Sequence, residues 1–198
     1  MNRHVFILAG IITLIAMSLY QVATRVNLNL PKKIDISKKI SNKEYKYMLE
    51  IKSPAFENNG LIPAKYTCEG DNINPPIEIS GVPEEAKSLV LIMDDPDVPK
   101  NLRPDGMFDH WIVFNIEPTL NSIEEGTATP GIYGINGKGE SGYIGPCPPD
   151  REHRYFFKLH ALDVILPLAP GATKKEVETA MNGHTIESAE LIGLYNKN

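Results

Sequence analysis

Hydrophobic residues fall along this chain in short runs separated by Pro, Gly, Asn and Asp, and most of the runs read as strands. Residues 47–51 (YMLEI) alternate as a half-buried strand does. Residues 77–79 form a shorter strand between Pro75-Pro76 and Gly81. Residues 88–93 (SLVLIM) and 110–116 (HWIVFNI) are continuous apolar runs, which predicts strands at the centre of a sheet. From 154 to 166, Tyr155, Phe157, Leu159 and Ala161 share one face, with Lys158 and His160 on the other. Residues 189–195 read as a last strand, and Asn58-Asn59-Gly60 is a turn signal. One helix stands out. Thr173 begins it, and Glu176 sits where a capping box needs it. Val177, Ala180 and Met181 give an apolar stripe, and Gly183 ends the helix. Strand–helix–strand alternation is absent, which argues against a doubly wound parallel sheet, and no internal repeat appears. The 16 prolines and 15 glycines supply the turns that many strands require. The pattern predicts a mainly β protein, a β-sandwich or related fold with a helix near the C-terminus.

The N-terminus follows a different rule. Residues 5–20 (VFILAGIITLIAMSLY) carry no charge and follow Arg3. The run is short for a spanning helix and long for the apolar part of a signal peptide. It reads as a signal peptide or an uncleaved membrane anchor over residues 1–24. A Lys- and Asn-rich linker comes next over 25–45, and the globular domain occupies 46–198. An apolar leader of this kind exports the domain behind it, to a periplasmic or extracellular site, or tethers it to the membrane. The basic stretch after it (Arg25, Lys32, Lys33, Lys38, Lys39, Lys43, Lys46) argues for the opposite orientation, so the cytoplasmic side stays open. The chain's net charge is -5, and with the basic residues concentrated in the linker the domain is more acidic still. That balance argues against a nucleic-acid partner, which would need dense Lys and Arg. Two cysteines, Cys68 and Cys147, allow one disulfide, and no Cys/His spacing fits a metal site.

Three clusters carry candidate chemistry. Asp94-Asp95-Pro96-Asp97 succeeds an apolar strand, which would deliver carboxylates into a loop at the sheet's rim. Asp109-His110-Trp111 opens the next strand, where a histidine can face a neighbouring carboxylate. Gly142-Tyr143-Ile144-Gly145-Pro146-Cys147 is a Gly/Pro loop whose backbone N–H groups can form an anion nest, and His153-Arg154-Tyr155 comes after it. Each residue also has a plain structural reading: a solvated turn for the aspartates, a core histidine for His110, an ion pair for Arg154. Enzyme templates fail. The Gly134–Lys138 stretch lacks the spacing of a phosphate loop, Gly139–Gly142 is not a nucleophile elbow, and a Ser141/His153/Asp95 triad has no supporting motif.

Taken together, the clusters resemble the phosphatidylethanolamine-binding, or Raf-kinase-inhibitor-like, proteins in their bacterial branch. Tyr66-Thr67-Cys68-Glu69-Gly70, Asn74-Pro75-Pro76 and Ser80-Gly81-Val82-Pro83 come first. Asp95-Pro96-Asp97-Val98-Pro99, His110-Trp111, Gly145-Pro146-Cys147-Pro148-Pro149 and His153-Arg154-Tyr155 stand next in the family's order, as does the ending from Ala189 to Tyr195. The resemblance covers residues 47–195. It implies a β-sandwich of two antiparallel sheets with peripheral helices. It also implies a pocket for a small anion or phospholipid head group, lined by Asp95, His110 and His153, with Gly145, Pro146, Cys147 and Tyr155 nearby. Asp97 and Arg154 would support the loops. One carboxylate beside two imidazoles would change charge near neutral pH, and protonated histidines could donate to an anion. Acid at Asp150 and Glu152, just before His153, departs from the family pattern. The expected function is non-enzymatic binding with no cofactor or metal. A regulator or inhibitor of a protease or signalling enzyme, with a protein partner, is a second reading, and a hydrolase using the same residues a third. Because the two motif loops should meet, an exported chain can pair Cys68 with Cys147; two free, partly buried thiols is the alternative.

Overall fold

The computed structural model describes residues 48–197; the leader (1–24) and linker (25–45) lie outside them. Among the described residues nine strands form two sheets. The smaller has the order β1 (Glu50–Lys52), β3 (Ile77–Ser80), β6 (Ser122–Ile123). The larger has the order β2 (Gly60–Leu61), β9 (Thr185–Tyr195), β8 (His153–Leu162), β4 (Ser88–Asp95), β5 (Phe108–Ile116), β7 (Ile132–Tyr133). Pairing is antiparallel except between β2 and β9, which run parallel. The expected peripheral helices come down, among the described residues, to one α-helix, α1 (Lys174–Met181), and a 3-10 turn at Ala64–Tyr66. Both halves of the capping box form: Glu176 N–H donates to Thr173 Oγ1 at 3.3 Å, and Thr173 N–H to Glu176 Oε2 at 2.8 Å. Among the described residues no helix is long and apolar enough to cross a membrane.

The unbroken apolar run of β4 has a direct cause. Leu89, Leu91 and Met93 face the small sheet and join Ile51, Ile77, Ile79, Tyr155 and Phe157 in the larger core. Val90 and Ile92 face the other way and pack with Ile112, Phe114, Val177 and Met181 beneath α1. A strand covered on both faces has no solvent side on which to place polar residues.

The same alternation separates the aspartates at the end of β4. The strand continues through Asp94 and Asp95, both buried, rather than releasing them into a rim loop. Asp95 points to the sandwich side. Asp94 points to the α1 side, where its Oδ2 accepts from Lys158 Nζ at 2.8 Å and Lys174 Nζ at 2.5 Å. Asp94 is thus part of an ion cluster between sheet and helix and not of the candidate site.

Candidate functional site

The site lies where the ends of β4, β5 and β8 meet the loop through residues 142–149. Strand geometry alone would place His110 and Trp111 on opposite faces of β5. The register prevents this: Met93 pairs with Trp111, but Asp94 pairs with Asp109, so His110 is the extra residue of a bulge. Both rings therefore turn to the sandwich side, with His110 5.2 Å from Tyr155 and Trp111 5.5 Å from Tyr143, centroid to centroid.

His110 is almost wholly buried. Its Nδ1 lies 2.7 Å from the Ile144 carbonyl oxygen. A carbonyl only accepts, so Nδ1 carries the proton, and in the neutral ring Nε2 is an acceptor. Burial lowers the His110 pKa from 6.5 to about 4, outweighing the Ile144 hydrogen bond, which favours the proton. Near neutral pH the ring is uncharged and offers a lone pair, not the N–H expected for holding an anion. Because its folded pKa lies below its unfolded value, the stability it contributes is intact above pH 6.5 and is lost as pH falls toward 4. At roughly 1.4 kcal/mol per pKa unit the loss is about 3 kcal/mol, offset in part by Asp95, whose shift has the opposite sign. Nitrogen-detected NMR is expected to find the His110 ring neutral down to about pH 4; protonation near 6.5 would contradict its burial.

His153 is the first residue of β8, not the last before it, and its side chain is fully enclosed. Nδ1 contacts Asp95 Oδ2 at 2.7 Å and Nε2 contacts Asp150 Oδ1 at 2.9 Å, so both ring nitrogens are engaged by carboxylates. The ring sits behind Asp95 and orients it. Asp95 Oδ1 accepts the Asp97 N–H at 2.8 Å. Burial raises the Asp95 pKa, with the His153 hydrogen bond pulling against it. Tyr155 stands between the two imidazoles, wholly buried. Its hydroxyl is buried near the Cys147 backbone with no hydrogen-bond partner among the described residues, and burial pushes its pKa up. Asp97 takes a forked grip from Arg154: Nε to Oδ2 and Nη2 to Oδ1, both 2.8 Å. That pairing holds the pKa of the Asp97 carboxyl at about 2.

The Gly145 loop is stitched to the segment through residues 66–72. The Cys68–Cys147 disulfide joins them with the Cα atoms 5.4 Å apart. Tyr143 Oη donates to the Tyr66 carbonyl at 2.8 Å and Cys68 N–H to the Pro146 carbonyl at 3.0 Å. The Gly145 N–H, expected in an anion nest, is spent on Asn72 Oδ1 at 2.8 Å. Glycine is needed there for another reason: a Cβ would lie 2.5 Å from the Tyr66 carbonyl oxygen and 2.8 Å from Thr67 Cα.

These elements enclose a cavity of about 530 Å³. Of the residues proposed for a ligand site, Asp95, His110, Gly145 and Cys147 line this cavity. His153, Tyr155 and Pro146 are absent from its wall and form the layer behind. Much of the wall comes from residues to which the sequence reading gave no part in the pocket: Val98, Leu102, Arg103, Phe108, Lys138, Ile144 and Pro149, with Asn72 and Cys68. One signal could have found the first four. Asp95 and His110 flank residues 96–109, so the chain between them must pass close to any pocket they share. Ser141 lies on a different cleft, beside Trp111 and Tyr143, and the triad with His153 does not form. Among the described residues no group of three His, Cys, Asp or Glu side chains could hold a metal ion.

Known proteins share this fold. A sequence model described as phosphatidylethanolamine-binding protein matches residues 52–196. A Chlamydia muridarum relative named UPF0098 protein is 49% identical over 147 residues, covering 74% of this chain and 98% of its own. The crystal structure of a phosphatidylethanolamine-binding protein homolog from Chlamydia trachomatis is 48% identical. It superposes with a TM-score of 0.75 over 77% of this chain and 99% of that one. The E. coli protein YbcL, described as a member of the mammalian family, is 28% identical, with a TM-score of 0.68 over 76% and 99%.

Proposed function

This chain belongs to the phosphatidylethanolamine-binding protein family, and from that premise we propose that its cavity binds a small bipolar ligand, such as a zwitterionic phospholipid head group, without turning it over. The observation that carries the reading is the chemistry of the floor. Asp95, held by His153, and the neutral His110 both accept hydrogen bonds, so the floor suits an ammonium or hydroxyl end. Val98, Leu102, Phe108 and Ile144 offer apolar walls to the body of the ligand. Binding fits better than catalysis, because His153 is committed to two carboxylates and no serine or cysteine nucleophile is hydrogen-bonded to either imidazole among the described residues.

O-Phosphoethanolamine titrated into the full chain tests this. NMR is expected to show the His110 ring and the Ile144 and Gly145 amides moving together. No change at His110 up to millimolar ligand would contradict it.

Export is part of the same proposal. The Cys68–Cys147 disulfide supports an oxidising setting for the domain. Protein taken from its native cells without reductant is expected to show no free thiols; two would count against both pairing and export.

A further inference from the structure

We propose that Arg103 is the seat of the ligand's anionic group and, with Lys138, gives the cavity its preference for phosphate- or carboxylate-bearing ligands; this rests on the proposed role of the cavity in binding a bipolar ligand. Three of the groups expected to hold an anion are not free to do so. His110 presents a lone pair, His153 lies between Asp95 and Asp150, and the Gly145 N–H is bonded to Asn72.

Arg103 is different. It comes from the loop after Asp97, where Leu102 N–H and Arg103 N–H both donate to the Pro99 carbonyl and Gly106 N–H to the Arg103 carbonyl, at 2.8–3.0 Å. Its guanidinium packs over the Phe108 ring, 5.4 Å from the centroid, and Nη1 donates to the Gly137 carbonyl at 3.3 Å. It makes no ion pair with a carboxylate among the described residues, whereas Arg154 is forked onto Asp97. A guanidinium held by a ring and one carbonyl, lining a cavity with most of its donors unspent, is built to receive an oxyanion.

The spacing suits a bipolar ligand. The Phe108 and His110 ring centroids are 4.8 Å apart, so the guanidinium lies no more than about 10 Å from the imidazole. A short ligand can therefore reach the acceptor floor with one end and Arg103 with the other. Lys138, exposed at the rim, adds a second positive charge.

Calorimetry on the full chain tests the assignment, using O-phosphoethanolamine and ethanolamine as probes. Arg103→Gln is expected to weaken O-phosphoethanolamine at least tenfold, the size of a lost charge-assisted hydrogen-bond pair, and to flatten its salt dependence. Ethanolamine, which lacks the anion, should change by less than about twofold. If Arg103→Gln loses the native NMR spectrum, Arg103→Lys keeps the charge, loses the fork, and should weaken O-phosphoethanolamine at least about threefold. A smaller change in a chain that still binds overturns the role of Arg103 and leaves the cavity reading standing. A wild-type chain that binds neither probe overturns the cavity reading as well.

Discussion

Replacing His153 with alanine is expected to lower the unfolding free energy by about 3–5 kcal/mol, the cost of leaving the buried Asp95 carboxyl without its partner. The ring fills the space between Asp95 and Asp150, and the two carboxylates fare differently without it. Asp150 is 45% exposed and returns to water, while Asp95, 4% exposed, cannot. Asp95 can escape only by taking up a proton, and its pKa is already raised by burial. A carboxyl with a raised folded pKa costs stability once pH rises above its unfolded value. The gap between variant and wild type should therefore be widest at neutral pH and narrow toward pH 5. Urea denaturation at the two pH values measures this. A neutral-pH loss below about 1 kcal/mol would mean that His153 is not the clamp that fixes Asp95.

Reducing the Cys68–Cys147 bond is the second large effect. The bond closes a loop across a sequence separation of 79 residues. The chain-entropy account gives about 4.5 kcal/mol for a loop of that length. The bond also ties together the two segments that form one wall of the cavity, with the Tyr143–Tyr66 and Gly145–Asn72 hydrogen bonds beside it. The Cys68→Ala/Cys147→Ala double variant is therefore expected to lose ligand affinity along with stability, and to show faster amide exchange at Ile144 and Gly145. A double variant that melts within a few degrees of wild type, with affinity intact, would show that the hydrogen bonds alone hold the wall.

The parts of the fold legible in the sequence are those whose signal is local. Residues 88–93 and 110–116 mark strands because burial on both faces leaves them unbroken apolar runs. Thr173 and Glu176 mark the helix because a capping box is written within four residues. Strands β2, β6 and β7 have two residues each, too few for any period to show, and the parallel pairing of β2 with β9 joins residues far apart in the chain. The site was legible as motifs and much less so as geometry. Asp95, His110 and the Gly145 loop do line one cavity. What the motifs could not carry is protonation and partnership. A single-residue bulge turns His110 inward, burial strips its charge, and two carboxylates enclose His153. Strand alternation sends Asp94 to the lysines under α1, although it sits next to Asp95 in sequence. Arg103 and Lys138 come from irregular loops, where no pattern announces which way a side chain faces.

A crystal structure of the full chain grown with O-phosphoethanolamine tests the whole account at once. The ligand should occupy the cavity bounded by Asp95, His110 and Arg103, its amine toward the two acceptors and its phosphate on the guanidinium. A ligand in the reverse orientation, with phosphate against His110, or a cavity left vacant at saturating concentration, would contradict it.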